Sequence, residues 1–182
     1  VSTACHVLAQ GNVRWLDVCR VRGGDWSQGR YVGNGVGVGF DVTTTLEVKK
    51  IKVITGTPAY LIAVLKTMLL YYDAPTITVQ ADDVTLHDRY LMISAMNGRR
   101  FGGGFLVAPE AHLDDGLFDL VLAVQPSRLT MLRLMVMYMR GTQLSHPKVH
   151  GLRARRITIA ADGGLDSHAD GEIFMIGGDR IE

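Results

Sequence analysis

Between residues 94 and 120 the chain reads SAMNGRRFGGGFLVAPEAHLDDGLFDL, and this density of breaks confines it to short strands joined by tight turns. A long helix cannot run through it, because an interior glycine costs about 1 kcal/mol relative to alanine and a proline about 3. Just upstream, Leu91, Ile93 and Ala95 alternate with Met92, Ser94 and Met96 in the period-two pattern of a strand, which Asn97-Gly98 ends with a pair tolerant of positive φ. Gly102, Gly103 and Gly104 then leave three successive residues without a Cβ, so the backbone bulges there or something approaches it closely. Strand character resumes over residues 105–107 and stops at Pro109, which has no N–H to give a ladder. A short linker containing His112 leads to Asp114-Asp115-Gly116-Leu117. Two adjacent carboxylates in a glycine turn suit a hard cation, which takes carboxylate and carbonyl oxygens. The simpler alternative is an aspartate turn joining two strands.

The rest of the chain carries the same punctuation. VSTACHVLAQ, residues 1–10, reads as the last turns of a helix that stops at Gly11-Asn12, with the natural start missing. Val13, Trp15, Asp17 and Cys19 alternate with Arg14, Leu16, Val18 and Arg20 as a strand, which Gly23-Gly24-Asp25 turns back into a return strand over residues 29–32. Gly177-Gly178-Asp179 reads as a turn of the same kind. Residues 33–41, GNGVGVGFD, superficially match a nucleotide-binding glycine run. Thr43-Thr44-Thr45 behind it is a poor helix opening, so a strand with close backbone packing is expected in place of a pyrophosphate cradle.

Two long helices are expected. Thr57-Pro58 combines a capping hydroxyl with proline at a first helical position, and Leu61, Val64, Leu65, Met68, Leu69 and Tyr72 follow at helical spacing. Core packing accounts for that stripe, and Lys66 argues against a membrane span. Ser127 caps the second helix, whose Leu129, Leu132, Met135, Val136 and Met139 share a core-facing side and which Gly141 ends. Met131, Met135, Met137 and Met139 serve it as gap-fillers. Residues 76–80 and 84–86 pair around Ala81-Asp82-Asp83, an exposed and inert acidic turn, and residues 117–124 form a buried strand. Pro147 separates His146 from His150, so their spacing of four is not a helical metal pair. Arg153, Arg155 and Arg156 form a basic cluster beside the strand of residues 157–160; such a cluster can meet lipid headgroups or phosphate, and its simpler account is a solvated strand edge.

Composition bounds what such a chain does. At 182 residues and 47% hydrophobic content it can bury one substantial core. Nineteen basic against eighteen acidic side chains leave a net charge of +1, so no global field recruits nucleic acid. Cys5 and Cys19 fit no disulfide framework or zinc spacing and suit a reducing compartment. There is no charged leader with an apolar core and no run of 18 apolar residues, so a cytoplasmic protein is expected.

A second acidic site, Asp170-Gly171-Glu172, lies near the C-terminus. In an extended strand residues 170 and 172 share a face, so the two carboxylates would share one surface; taken alone, the tripeptide is most simply a hairpin turn. The ordered set of Asn97-Gly98, the triple glycine, Ala108-Pro109, LDDG and DGE resembles the second domain of the bacterial diacylglycerol kinase-like lipid kinases, a family that includes the sphingosine kinases. The similarity runs from about Asn12 to Glu172.

The resemblance implies a mainly β (α+β) domain, a β-sandwich with two flanking helices, covering residues 11–182 after a remnant of an inter-domain helix over residues 1–10. It implies ATP-dependent phosphorylation of a lipid hydroxyl, with Asp170 as the base that takes the hydroxyl proton and Glu172 in a water-mediated carboxylate network reaching the nucleotide's Mg²⁺. It also implies a structural Mg²⁺ held by the Asp115 side chain with main-chain oxygens of His112 and Leu117. The implied partners are a lipid substrate and, peripherally, the membrane, with a homodimer as the candidate assembly. The family's ATP loop is a GGDG-type run opening a helix, whereas Gly23-Gly24-Asp25 continues into Trp26-Ser27 between strand-like segments. The nucleotide-binding half is therefore expected outside this chain, which should not catalyse alone. Two alternatives stay open: a lipid-binding module without catalysis, and a relative of NAD kinase, whose pocket would need polar groups for a dinucleotide.

Overall fold

The computed structural model describes residues 2–182; Val1, at the head of the expected helix remnant, lies outside them. The strands are β1 (Cys19–Gly23), β2 (Trp26–Val32), β3 (Gly35–Gly39), β4 (Thr76–Ala81), β5 (Val84–Met96), β6 (Arg100–Phe101), β7 (Phe105–Leu106), β8 (Phe118–Val124), β9 (Val149–Ala154), β10 (Ile157–Ala169) and β11 (Glu172–Ile181). The helices are α1 (Ser2–Ala9), α2 (Phe40–Lys50), α3 (Thr57–Leu70) and α4 (Arg128–Arg140). Seven strands join antiparallel in the order β11-β10-β3-β5-β8-β9, with β4 bonded to both β10 and β5. The register of β10 slips repeatedly between Ala160 and His168. A bulged strand bends, so β10 pairs with β4 through residues 157–160 and with β3 through residues 167–169. The β1–β2 hairpin extends this edge, with Arg22 and Glu182 exchanging backbone hydrogen bonds of 2.8 and 2.9 Å.

Two apolar layers result. Val21, Trp26, Val36, Val38, Ile93, Leu120, Leu122, Ile159, Phe174 and Ile181 fill the sandwich, with Trp26 stacked on Phe174 at 4.5 Å. Phe40, Val64, Met68, Leu91, Phe105, Val121, Met131, Leu134 and Tyr138 fill the space between the sheet and its helices. The expected pairing of Leu91 with Ile93 and Ala95 fails because the β5–β8 register slips between Tyr90 and Met92. Leu91 thereby turns toward the helices while Ile93 and Ala95 stay inside the sandwich.

The β-sandwich with flanking helices is the observed architecture, with further departures from expectation. Residues 12–18 are not a strand, and β1 begins at Cys19. Gly177-Gly178-Asp179 is no hairpin turn but an irregular part of β11, where the Gly177 N–H donates to Asp166 Oδ1 at 2.9 Å. The largest addition is α2, which the threonine run concealed. Thr44 and Thr45 donate their hydroxyls to the carbonyls of Phe40 and Asp41 at 2.9 Å, so their polar groups are satisfied inside the helix. Its buried Glu47 pairs with Lys50 and with Lys66 of α3, each at 2.6 Å, and these ammonium groups hold its carboxyl below the usual range.

The helix limits follow the sequence more closely than their faces do. α4 is capped by Ser127, which accepts from the Thr130 N–H at 3.2 Å, and Gly141 terminates it. Yet Leu129, Leu132, Val136 and Met139, expected in the core, are exposed, and Met131, Leu134 and Tyr138 are buried instead. On α3, Val64 and Met68 are buried while Leu65 and Leu69 are exposed. Asp82 is exposed but not inert: it accepts the N–H groups of Arg155 and Arg156 and so ties the β4–β5 turn to the start of β10.

Candidate active site

Asp170 and Gly171 are the two turn residues of the β10–β11 hairpin, with φ of 48° and 87°. Both values are positive, as a two-residue type I′ turn requires, and aspartate tolerates that region better than most side chains. The turn aims Asp170 back across the sheet at the β2–β3 loop. Its Oδ2 accepts the Gly33 N–H at 2.9 Å, and its Oδ1 accepts those of Asn34 and Gly35 at 3.1 and 2.9 Å. The Asp170 N–H donates in return to the Gly35 carbonyl at 3.0 Å. Glu172 does not share this face. It is 72% exposed and stands 3.7 Å from Arg30, whose guanidinium lies over the Trp26 ring.

The same loop leads to the other acidic turn. The buried Asn97 amide donates to the carbonyls of Gly33 and Asp17 at 2.8 Å. Asp17 Oδ2 accepts the Gly116 N–H at 2.6 Å, and the Asp17 N–H donates to the Leu113 carbonyl at 2.7 Å. The Cys19 thiol is pushed up to about 11 by its burial and then by the carboxylates of Asp170 and Asp17. Residues 114–116 and Asp170 therefore sit at one edge of the sandwich, joined through Asp17, Asn97 and Gly33. A cleft of 670 Å³ lined by Arg14, Trp15, Asn34, Arg100, His112 and Asp114 follows that edge. Trp15 is 94% exposed beside it.

Asp115 itself is differently engaged. Its Oδ1 accepts the Leu117 N–H at 3.1 Å and its Oδ2 pairs with the Arg153 guanidinium, which also stands 3.6 Å from Asp119. No cluster of three or more His, Cys, Asp or Glu side chains able to hold a metal is present among the described residues. The carboxylate that the resemblance gives to a cation thus meets a guanidinium in a partly exposed pair. A metal held with His112 and Leu117 would have to displace Arg153.

The residues missed in the sequence lie just inside. A cleft of 620 Å³ runs from Asp170 between β10, α2 and α3, past Asn34, Lys49, Arg100 and Gly102. In its wall Asp41 and His168 are only 6% and 3% exposed. Asp41 Oδ2 lies 2.8 Å from His168 Nε2, and Tyr60 donates its hydroxyl to Oδ1 at 2.6 Å. Burial pushes the Asp41 carboxyl up, but the hydrogen bond and charge of His168 and the Tyr60 hydroxyl bring it below the usual range. Burial, then the neighbouring Asp41 charge, raises Tyr60 well above the usual phenol range. The ring leaves no room for a side chain on β3: a Cβ at Gly37 would lie 2.5 Å from His168 Nε2 and 2.8 Å from Asp41 Oδ2. The triple glycine serves the same trio, because Tyr60 occupies the position a Cβ on Gly102 would need, and Gly102 has a φ of 46°. Behind Asp41, Tyr60 and Phe101 a smaller apolar cavity of 50 Å³ continues toward Val64, Met131 and Tyr138, under α3 and α4.

An antiparallel β-sandwich with helices on one face and a carboxylate-bearing hairpin turn at its edge is the class of domain that this fold and site define. Residues 34–178 match the family model described as the YegS C-terminal NAD kinase beta sandwich-like domain, and the chain belongs to that family. Among curated relatives, the diacylglycerol kinase of Staphylococcus saprophyticus is 26% identical over 173 residues, covering 94% of this chain and 54% of the relative. That of Mycobacterium tuberculosis is 24% identical over 169 residues, covering 93% and 54%. A crystal structure of a putative diacylglycerol kinase from Bacillus anthracis superposes with a TM-score of 0.72 at 16% identity, over 100% of this chain and 57% of that one. The chain thus spans about half the length of the curated relatives it matches.

Proposed function

We propose that this chain is the substrate-side domain of a lipid kinase, transferring the γ-phosphoryl group of ATP to a lipid hydroxyl held at Asp170. The observation that carries this is the position of Asp170 at the mouth of a cleft whose inner end is apolar. A carboxylate offers about four lone-pair sites on its two oxygens. Two on Oδ1 and one on Oδ2 are taken by the loop amides, which leaves Oδ2 the site for one further donor. The lipid hydroxyl fills it, and is thereby aimed out of the cleft toward a triphosphate on the facing domain. As the hydroxyl oxygen bonds to the γ-phosphorus, the bond to the β–γ bridging oxygen breaks, ADP leaves, and the proton passes to Asp170. Little covalent work falls to the protein in such a transfer, so a rigidly placed carboxylate is what the step needs.

The other residues divide by position. Arg14 and Arg100 line the neighbouring cleft, where they would meet phosphate oxygens of the nucleotide's magnesium complex. Glu172, turned toward Arg30 on another face, would have to leave that pair to reach the same complex through water. The Asp41–His168–Tyr60 trio lies where the head of the lipid gives way to its chains and would orient it, while the apolar cavity behind takes the first methylenes. The exposed Leu65, Leu69, Leu129, Leu132, Val136 and Met139 on α3 and α4 lie on the sheet face that carries the cavity and would rest on the bilayer. Among the described residues no helix is long and apolar enough to cross a membrane.

A kinase acting on NAD would need polar groups for a dinucleotide, and the inner cavity offers apolar walls beyond the trio. The deciding experiment supplies labelled ATP to the full-length protein with diacylglycerol, long-chain bases and NAD in parallel. Label in a lipid is the expected result; label in NAD alone would contradict the proposal, and lipid binding without transfer would favour a non-catalytic module.

A further inference from the structure

A second slot opens in the sandwich, lined by residues other than Asp170 and the buried trio. It has a volume of 260 Å³ and lies between β1, β10 and β11 on one side and β3, β5 and β8 on the other. Its floor consists of the core residues Val21, Val36, Ala95, Ile159 and Ile181. Arg155 and Arg156 stand at its rim, and Arg20 lines it from β1 with its guanidinium turned to β2. Arg20 is steadied by donating to the Gln28 carbonyl at 2.9 Å. Arg155 and Arg156 are fixed at the backbone, where their N–H groups donate to Asp82 at 3.0 and 2.9 Å. Neither guanidinium has an ion-pair partner among the described residues. The one carboxylate lining the slot, Glu182, is held by Arg180 at 2.7 Å.

An apolar pocket with a few convergent charged groups is the usual form of a small-molecule site, and those for drug-sized ligands run to about 300–1,000 Å³. This slot is smaller, with room for one alkyl chain and not for two. Guanidinium forks match carboxylate and phosphate oxygens. We propose that the slot binds a single-chain anionic amphiphile, its carboxylate or phosphate on the arginines and its chain between the sheets. The proposal is independent of the kinase function, since Asp170, Asp41 and His168 do not line the slot.

The test is calorimetric titration of the full-length protein with alkyl carboxylates and alkyl phosphates of six to fourteen carbons. Affinity is expected to rise about fourfold per added methylene and then level off when the slot is full. The stronger of the two series identifies whether a fatty acid or a lysophospholipid-type phosphate is the source. The Arg155→Gln/Arg156→Gln variant, which keeps both backbone contacts to Asp82, should weaken binding by at least tenfold, and Thr158→Phe in the slot wall should bring the plateau at a shorter chain. Absence of binding would overturn the proposal, as would unchanged affinity in the folded double variant. Equal binding of the corresponding alkyl alcohols by the wild type would overturn it too, even were the variant to unfold.

Discussion

Asp41 is a carboxylate taken almost wholly out of water, and its two donors are what make that tolerable. A buried carboxylate that loses a partner is left uncompensated, at a cost of about 3–5 kcal/mol. His168→Ala is therefore expected to lower the unfolding free energy by an amount in that range, read from urea titration. Tyr60→Phe should cost less, about 1–3 kcal/mol for a lost hydrogen bond. A His168→Ala variant as stable as wild type would contradict the buried pairing. Asp115 carries the opposite expectation. Arg153 and Asp115 are partly exposed, so their ion pair is worth about 0–1 kcal/mol. With Arg153 in place, added Mg²⁺ should leave the melting temperature of wild type and of Asp115→Asn equally unmoved; a rise in wild type alone would show a cation displacing the guanidinium.

Among the elements, α3 and α4 show where sequence reading succeeds and where it stops. Their limits were legible where proline and capping residues act locally: Pro58 sits in the first turn of α3, although Gly56 and not Thr57 is its cap and the helix ends at Leu70, short of Tyr72, and Ser127 and Gly141 bracket α4. Their faces were not. Both helices carry apolar residues all round, so periodicity alone could not say whether Leu132 or Leu134 met the sheet. α2 escaped because its threonines favour strand by propensity, and the packing that overrides it, with Phe40, Val42, Thr44 and Glu47 buried, exists only in the folded chain. Replacing Leu69 and Leu132 together by glutamine should change stability by no more than about 0.5 kcal/mol per site, as befits exposed positions. The same variant should bind phospholipid vesicles more weakly in a sedimentation assay, and undiminished binding would remove this face from any membrane contact.

At the scale of the whole molecule, burial of several weak acids makes alkali the vulnerable direction. Folded-state values raised above those of the unfolded chain give stability that is complete below the unfolded value and drains away as pH climbs through the folded one. Cys19 is raised from 9.0 to about 11 and Tyr72 from 10.0 to about 12, in each case first by burial, and Tyr60 and Tyr138 are raised as well. Melting temperature should accordingly fall from about pH 9 upward, and Tyr72→Phe should flatten the upper part of that decline. Asp41, held below its usual value, works in the other sense: its contribution is present above 3.8 and lost as pH falls through its folded value. The site itself was half legible for a related reason. Asp170 announces itself in a local turn motif, whereas Asp41 and His168 are 127 positions apart and meet only because β10 folds back beside β3.

Turnover by the full-length protein carrying Asp170→Asn bears most directly on the assigned role. Asparagine suits the positive φ of the turn, and its carbonyl oxygen can keep the Asn34 and Gly35 amides while its NH2 faces the Gly33 N–H, so the fold should survive with a lowered melting temperature. Lipid phosphorylation, measured well below that melting temperature, is expected to fall by a factor of about 10²–10⁴, the usual contribution of a general base. Phosphorylation at the wild-type rate by this variant would contradict the placement of the lipid hydroxyl at Asp170.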